Sequence, residues 1–180
     1  MLSVKMEKAI NGQLNKEMYS AYLYMAMSAY ASEKGLRGIS RWFMVQYHEE
    51  MVHAMKLYEY LQDQGNVVTL AAIEKPKGSF TTALSLYEAA LKHERFITKS
   101  INDLVDVAVN EKDHATKIFL EWYVTEQIEE EKNATEIVQT LKMIGDNTAA
   151  LYLYDKELAA RVVSVPTDFS NGVSAAMGAA

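Results

Sequence analysis

Cysteine is absent from the 180 residues, which excludes disulfides, thiolate metal sites and thiol nucleophiles. Any metal must be held by carboxylate, imidazole or amide groups. Proline is scarce too: only Pro76 and Pro166 occur, so long stretches between them are free to be helical. No run is long and apolar enough to span a bilayer, and the residues from Met1 through Lys5 and Lys8 lack the uninterrupted apolar segment of a secretory signal. A soluble, cytoplasmic protein is the expectation. Positive charge is in deficit, the net charge being −6, which argues against nucleic acid as a partner and favours a cationic one.

What is present is helical periodicity. Four long segments place apolar or small residues at alternating steps of three and four, the seam of a helix packed in a bundle. The first, from about Ser3 to Glu33, carries Met6, Ile10, Leu14, Ala21, Tyr24, Ser28 and Ala31, with Ser3 placed to cap it and Gly35 beyond its end. The second, from about Arg37 to Gln64, carries Ile39, Phe43, Gln46, Leu57 and Tyr60. The third, from about Thr81 to Asn110, carries Leu84, Tyr87, Leu91, Thr98, Ile101, Val105 and Ala108. The fourth, from about Asp113 to Ile144, carries Leu120, Tyr123, Ala134, Ile137, Leu141 and Ile144.

Short links join the first helix to the second and the third to the fourth, so each pair forms an antiparallel hairpin. Residues 65–80 form a link that reaches roughly 50 Å when extended, enough to run the roughly 42 Å of a helix of about 28 residues. The expected fold is all-α, a four-helix bundle of two antiparallel hairpins with one long crossover. A short fifth helix is expected from about Asn147 to Arg161, on Ala150, Leu151, Leu153, Tyr154 and Leu158, and is too short to be stable alone. The domain then spans residues 1–165. Pro166–Ala180, rich in Ala, Ser and Gly, is expected to be a disordered tail.

The seam positions are not all apolar. Glu17, Glu50, His53, Glu94, Gln127 and Glu130 occupy places suited to Leu. An isolated ionised carboxylate in a core is very costly, and several together repel one another unless a cation neutralises them. The placement is also periodic: Glu17, Glu49, Glu50 and His53 recur, offset by 77 residues, as Glu94, Glu126, Gln127 and Glu130. One Glu from the first helix of each hairpin and a pair three residues apart from the second is how carboxylate-bridged di-iron sites are built. Oxygen-rich ligands with one imidazole suit iron or manganese better than a closed tetrahedral zinc site.

The segments Glu17-Met18-Tyr19-Ser20-Ala21-Tyr22-Leu23-Tyr24, Glu49-Glu50-Met51-Val52-His53 and Trp122-Tyr123-Val124-Thr125-Glu126-Gln127-Ile128-Glu129-Glu130-Glu131 carry a resemblance. From Leu2 to about Arg161 the chain resembles the non-haem ferritins of bacteria and archaea. The resemblance implies a ferritin-like bundle and a ferroxidase that oxidises Fe(II) to Fe(III) with dioxygen or hydrogen peroxide. It further implies a homo-oligomeric shell of 24 subunits for iron storage, with the fifth helix lining pores on fourfold axes. By resemblance Glu17, Glu50 and His53 hold one iron, and Glu50, Glu94 and Glu130 the second, with Glu50 bridging. Gln127 is similar to the family's site glutamine, a hydrogen-bonding neighbour of the ligands.

Glu49, Glu126, Glu129 and Glu130 resemble the ligands of a third, more weakly held iron. Glu126, Glu129 and Glu130 share a helix face, as that requires, although an acidic solvated face would carry the same pattern. For Tyr24 the resemblance implies a redox-active or hydrogen-bonding phenol beside the iron pair; position alone reads equally well as a buried core tyrosine. Met51 stands where bacterioferritins place a haem-ligating methionine, but Glu130 replaces the histidine they keep in the second half, which argues against haem. His48, His93 and His114 lie off the seams and are expected at the surface. Two alternatives share the sequence: a soluble di-iron oxidase or peroxidase that stores no metal, and a metal-free helical interaction protein whose carboxylates tune pairing.

Overall fold

The computed structural model describes residues 2–170 together with Gly172 and Val173. Five α-helices follow one another: α1 (Val4–Glu33), α2 (Arg37–Asp63), α3 (Ala83–Asn110), α4 (His114–Ile144) and α5 (Thr148–Leu158), with no strand among the described residues. The chain divides into two compact units, one running to Ser79 and resuming at Asn147, the other Phe80–Asp146.

In the first unit α1 and α2 form the expected hairpin. The Ser3 hydroxyl caps α1 by accepting from the Met6 amide at 3.0 Å, as its sequence position implies. At the other end Gly35 takes φ +78°, which lets the Leu36 amide reach back to the Ala31 carbonyl at 3.0 Å and closes the helix. Every seam residue expected in α1 is buried; in α2 the same holds except for Tyr60, which is half-buried.

The crossover leaves α2 without regular structure and is fastened to α1 by asparagine side chains. Asn11 donates to the Val67 carbonyl at 3.0 Å and accepts from the Thr69 amide at 2.6 Å, and one turn on Asn15 donates to the Ala72 carbonyl at 3.3 Å. Because the contacts advance along both segments together, the crossover runs parallel to α1. That is the return path its length allows, with loop carbonyls satisfied by side chains instead of by a ladder.

Helix α5 docks on the first turn of α2. Leu36, at the α2 N-cap, supplies no side-chain cap, and the Ile39 amide instead donates to the buried Asp155 carboxylate at 2.9 Å. Gly38 makes the approach possible, since a Cβ there would lie 1.6 Å from the Asp155 carbonyl oxygen. The fifth helix is shorter than its sequence suggests and ends at Leu158. The Ala160 and Arg161 amides close the turn by donating to the Glu157 and Leu158 carbonyls, and the Arg161 carbonyl accepts from Arg41 Nε at 3.0 Å, so Arg161 leaves the helix to follow α2. Pro166–Ser170 contain no helix, Val173 is buried, and its amide donates to Glu59. For Asn171 and residues 174–180 the expectation of a disordered tail lies outside the described residues.

In the second unit α3 starts at a capping box, Thr82 and Ser85 each bonding the other's amide at 3.0 Å. The link to α4 turns through Lys112 at φ +58°, and the Asp113 carboxylate then caps α4 through the Thr116 amide. Leu84, Val105 and Ile144, expected on the seams, are half-buried, while the remaining apolar seam residues of α3 and α4 are buried.

Candidate metal centre

Alternating steps of three and four put Glu17 of α1 and Glu50 and His53 of α2 on the buried faces of their helices, and the structure brings the three together. One ligand atom from each lies within 4.8 Å of the others. His53 Nδ1 stands 3.4 Å from Glu50 Oε2, and the three residues are only 1%, 1% and 4% exposed in the order Glu17, Glu50, His53. Such a group is poorly accounted for by packing. Two carboxylates taken out of water side by side cost several kcal/mol each unless a proton or a cation compensates.

The electrostatics of Glu17 record that cost. Burial, and next the charge of Glu50, push its carboxyl up to about 8 from 4.5, against a smaller pull downward from His53 and from a hydrogen bond donated by Gln13. Without a cation, Glu17 therefore carries a proton at neutral pH. Because the folded value lies above that of the unfolded chain, this carboxyl's contribution to stability is complete below about pH 4.5 and is lost as the pH rises through about 8. In metal-free protein Glu17→Gln is expected to flatten that decline by a few kcal/mol, read from urea unfolding at the two ends of the window. An unchanged slope would show that Glu17 is already ionised in the fold.

Gln13 is a residue that the sequence reading missed. Its Nε2 donates to Glu17 Oε1 at 2.7 Å, and both side chains are buried. It stands one turn before Glu17, where a polar residue reads as helix surface; the signal was its phase on the carboxylate's own face. Tyr24 is fully buried and stacks on Phe43 with ring centroids 5.8 Å apart.

In the second unit Glu94, Gln127 and Glu130 are all buried. Gln127 Nε2 lies 3.2 Å from Glu94 Oε2 and 3.2 Å from Thr98 Oγ1, and the Thr98 hydroxyl reaches Glu131 Oε1 at 2.6 Å. The glutamine therefore sits as a donor on a predicted ligand. Of the acidic residues assigned by resemblance to a third iron, Glu126 is half-buried, Glu129 exposed and Glu130 buried. Glu49 is engaged elsewhere in the first unit, by Arg161 Nη2 at 2.6 Å. His114 is exposed as expected, but His48 and His93 are half-buried, and desolvation pushes the His93 imidazole down to about 4.

Residues 7–144 match the model of the ferritin-like domain. The chain belongs to the ferritin family. A bacterial non-heme ferritin of Staphylococcus epidermidis is 40% identical to this ferritin over 161 residues, 89% of this chain and 97% of the relative. That of Staphylococcus aureus is 38% identical over the same coverage. Among solved structures, an open-pore ferritin from the archaeon Archaeoglobus fulgidus superposes with a TM-score of 0.89 at 45% identity, covering 90% of this chain and 100% of that one. A closed form of it, engineered by site-directed mutagenesis, gives 0.90 at 45% identity over 91% and 100%. The fold is thus the ferritin-like four-helix bundle with a fifth helix, and among the described residues no helix is long and apolar enough to cross a membrane.

Proposed function

We propose that this ferritin oxidises Fe(II) with dioxygen or hydrogen peroxide at a pair of iron sites within each subunit and stores the ferric product inside a cytoplasmic shell of 24 copies. The observation that carries the reading is the buried trio Glu17, Glu50 and His53, with ligand atoms within 4.8 Å and no packing reason to be there. Membership of the ferritin family and the non-heme ferritin names of its relatives support iron as the cation. The donor set fits: oxygen ligands with one imidazole suit Fe(II), and the concentrated negative charge favours Fe(III) over Fe(II) once both are held.

In this reading Glu17, Glu50 and His53 hold one iron, and Glu50, Glu94 and Glu130 the other. Gln13 and Gln127 orient Glu17 and Glu94 by the hydrogen bonds they donate. Each Fe(II) gives up one electron, so a pair reduces dioxygen to the peroxide level or hydrogen peroxide to water, and protons are taken up in either case. Loading the first site displaces the proton that Glu17 otherwise carries. Tyr24 is assigned a supporting place beside the pair, and Glu49, Glu126, Glu129 and Glu130 a third iron on the way to the mineral. Haem forms no part of the proposal.

The test is to add Fe(II) aerobically to the purified assembly, remove free iron and count the atoms retained per chain. Tens or more are expected. Retention of about two or three, the number the ligand set can hold, would mean an oxidase without storage; none would leave the buried carboxylates without a metal.

A further inference from the structure

The C-terminal side of α5 delivers one cation to the proposed iron ligands. Arg161 Nη2 lies 2.6 Å from Glu49 Oε2, and the two side chains are 22% and 14% exposed, so solvent screens the pair far less than a surface ion pair. The guanidinium also lies over the Trp42 ring, 4.5 Å from its centroid, and the Arg161 backbone is tied to Arg41. Trp42 in turn packs edge-on against Phe43. Arg161 Nη1 is buried and finds no hydrogen-bond partner among the described residues, so Glu49 is the acceptor that holds the group.

From this arrangement we infer that Arg161 is an internal cation that occupies Glu49 in place of the third iron, so that the third iron binds only when the segment after α5 lets go. The inference rests on the reading of Glu49 as a ligand of that iron. A divalent cation on Glu49 would meet a guanidinium on the same carboxylate, and two cations cannot both sit there without strong repulsion. Release costs the charge-assisted hydrogen bond and the stacking on Trp42 together. The pair of inner sites is untouched by this competition, because the carboxylate that the Arg161 guanidinium engages among the described residues is Glu49. Arg161 thereby sets the affinity of the third site and couples its filling to the undocking of the chain beyond Leu158.

The experiment is an anaerobic Fe(II) binding isotherm on the assembled protein, which reads occupancy without oxidation. It compares wild type with Arg161→Gln, Glu49→Gln and the double variant. Two tight ions and one weaker one are expected in wild type. Arg161→Gln should tighten the third by about tenfold, as loss of a charge-assisted bond implies, while leaving the tight pair unchanged. Glu49→Gln should remove the third ion in either background. Wild-type protein gives an independent reading: amide hydrogen exchange over residues 159–165 should rise only as the third equivalent is added. A third constant unmoved in Arg161→Gln, or exchange that ignores the third equivalent, would make Arg161 a docking residue and overturn the inference. Absence of the tight pair itself would instead strike down the di-iron reading on which it rests.

Discussion

Glu50→Ala is expected to abolish the fast phase of aerobic Fe(II) oxidation while leaving helix content intact. Glu50 is the one carboxylate that the proposed mechanism shares between the two irons of the pair. Removing groups that merely orient a ligand costs about 10- to 100-fold in affinity or activity, so loss of the shared ligand should cost about a hundredfold or more. Stopped-flow oxidation kinetics at two Fe(II) per subunit read the effect directly, and unchanged kinetics would sink Glu50 as the bridge. The metal-free variant should be less resistant to urea than wild type, because the protonated Glu17 carboxyl and the His53 imidazole each lose a buried partner in Glu50, so retained helix content is the control for folding.

The second large effect is expected at Gly38→Ala, far from the carboxylates in chemistry. The added Cβ would lie 1.6 Å from the Asp155 carbonyl oxygen, 2.6 Å from its carbon and 3.0 Å from the Ala159 nitrogen, all backbone atoms that no rotamer can move aside. Helix α5 must therefore shift off α2, and with it go the Asp155 cap on the Ile39 amide and the seat of Arg161. A cost of about 3 kcal/mol or more follows, larger than the roughly 1 kcal/mol expected for Asp155→Ala, which loses the cap alone. Limited proteolysis between residues 145 and 165, with chemical denaturation alongside, distinguishes the two variants. If Gly38→Ala resists protease as wild type does, α5 is not seated through this contact.

The helices were legible because their seams are long and regular. Met6, Ile10 and Leu14 continue through Ala21 and Tyr24 to Ala31 without a break in phase, and all are buried. The carboxylates were legible for the opposite reason: Glu17, Glu50 and Glu94 break the apolar rule in phase with it, and the 77-residue offset repeats the violation. What sequence spacing does not carry is the partner of a residue far along the chain. Glu49 reads as one more acidic side chain of the set, yet its ion pair comes from Arg161, 112 residues away. Nor does spacing show that Asn11 and Asn15 hold the crossover through its carbonyls. The end of α5 misled for a local reason: residues to Arg161 have helical propensity, and the bond from Arg41 to the Arg161 carbonyl outcompetes one more turn.

The seating of α5 also orders events during synthesis. The cap on Ile39 is supplied by a residue 116 positions later, so the first hairpin leaves the ribosome with the start of its second helix unfinished. The whole second hairpin must be made before Asp155 exists to complete it. Closing a loop of that length is slow compared with forming either hairpin, so docking of α5 is a late step of maturation. Until it occurs, the Gly38 backbone and the Ile39 amide stay uncovered, and the first hairpin is where exchange of α5 between nascent copies would begin.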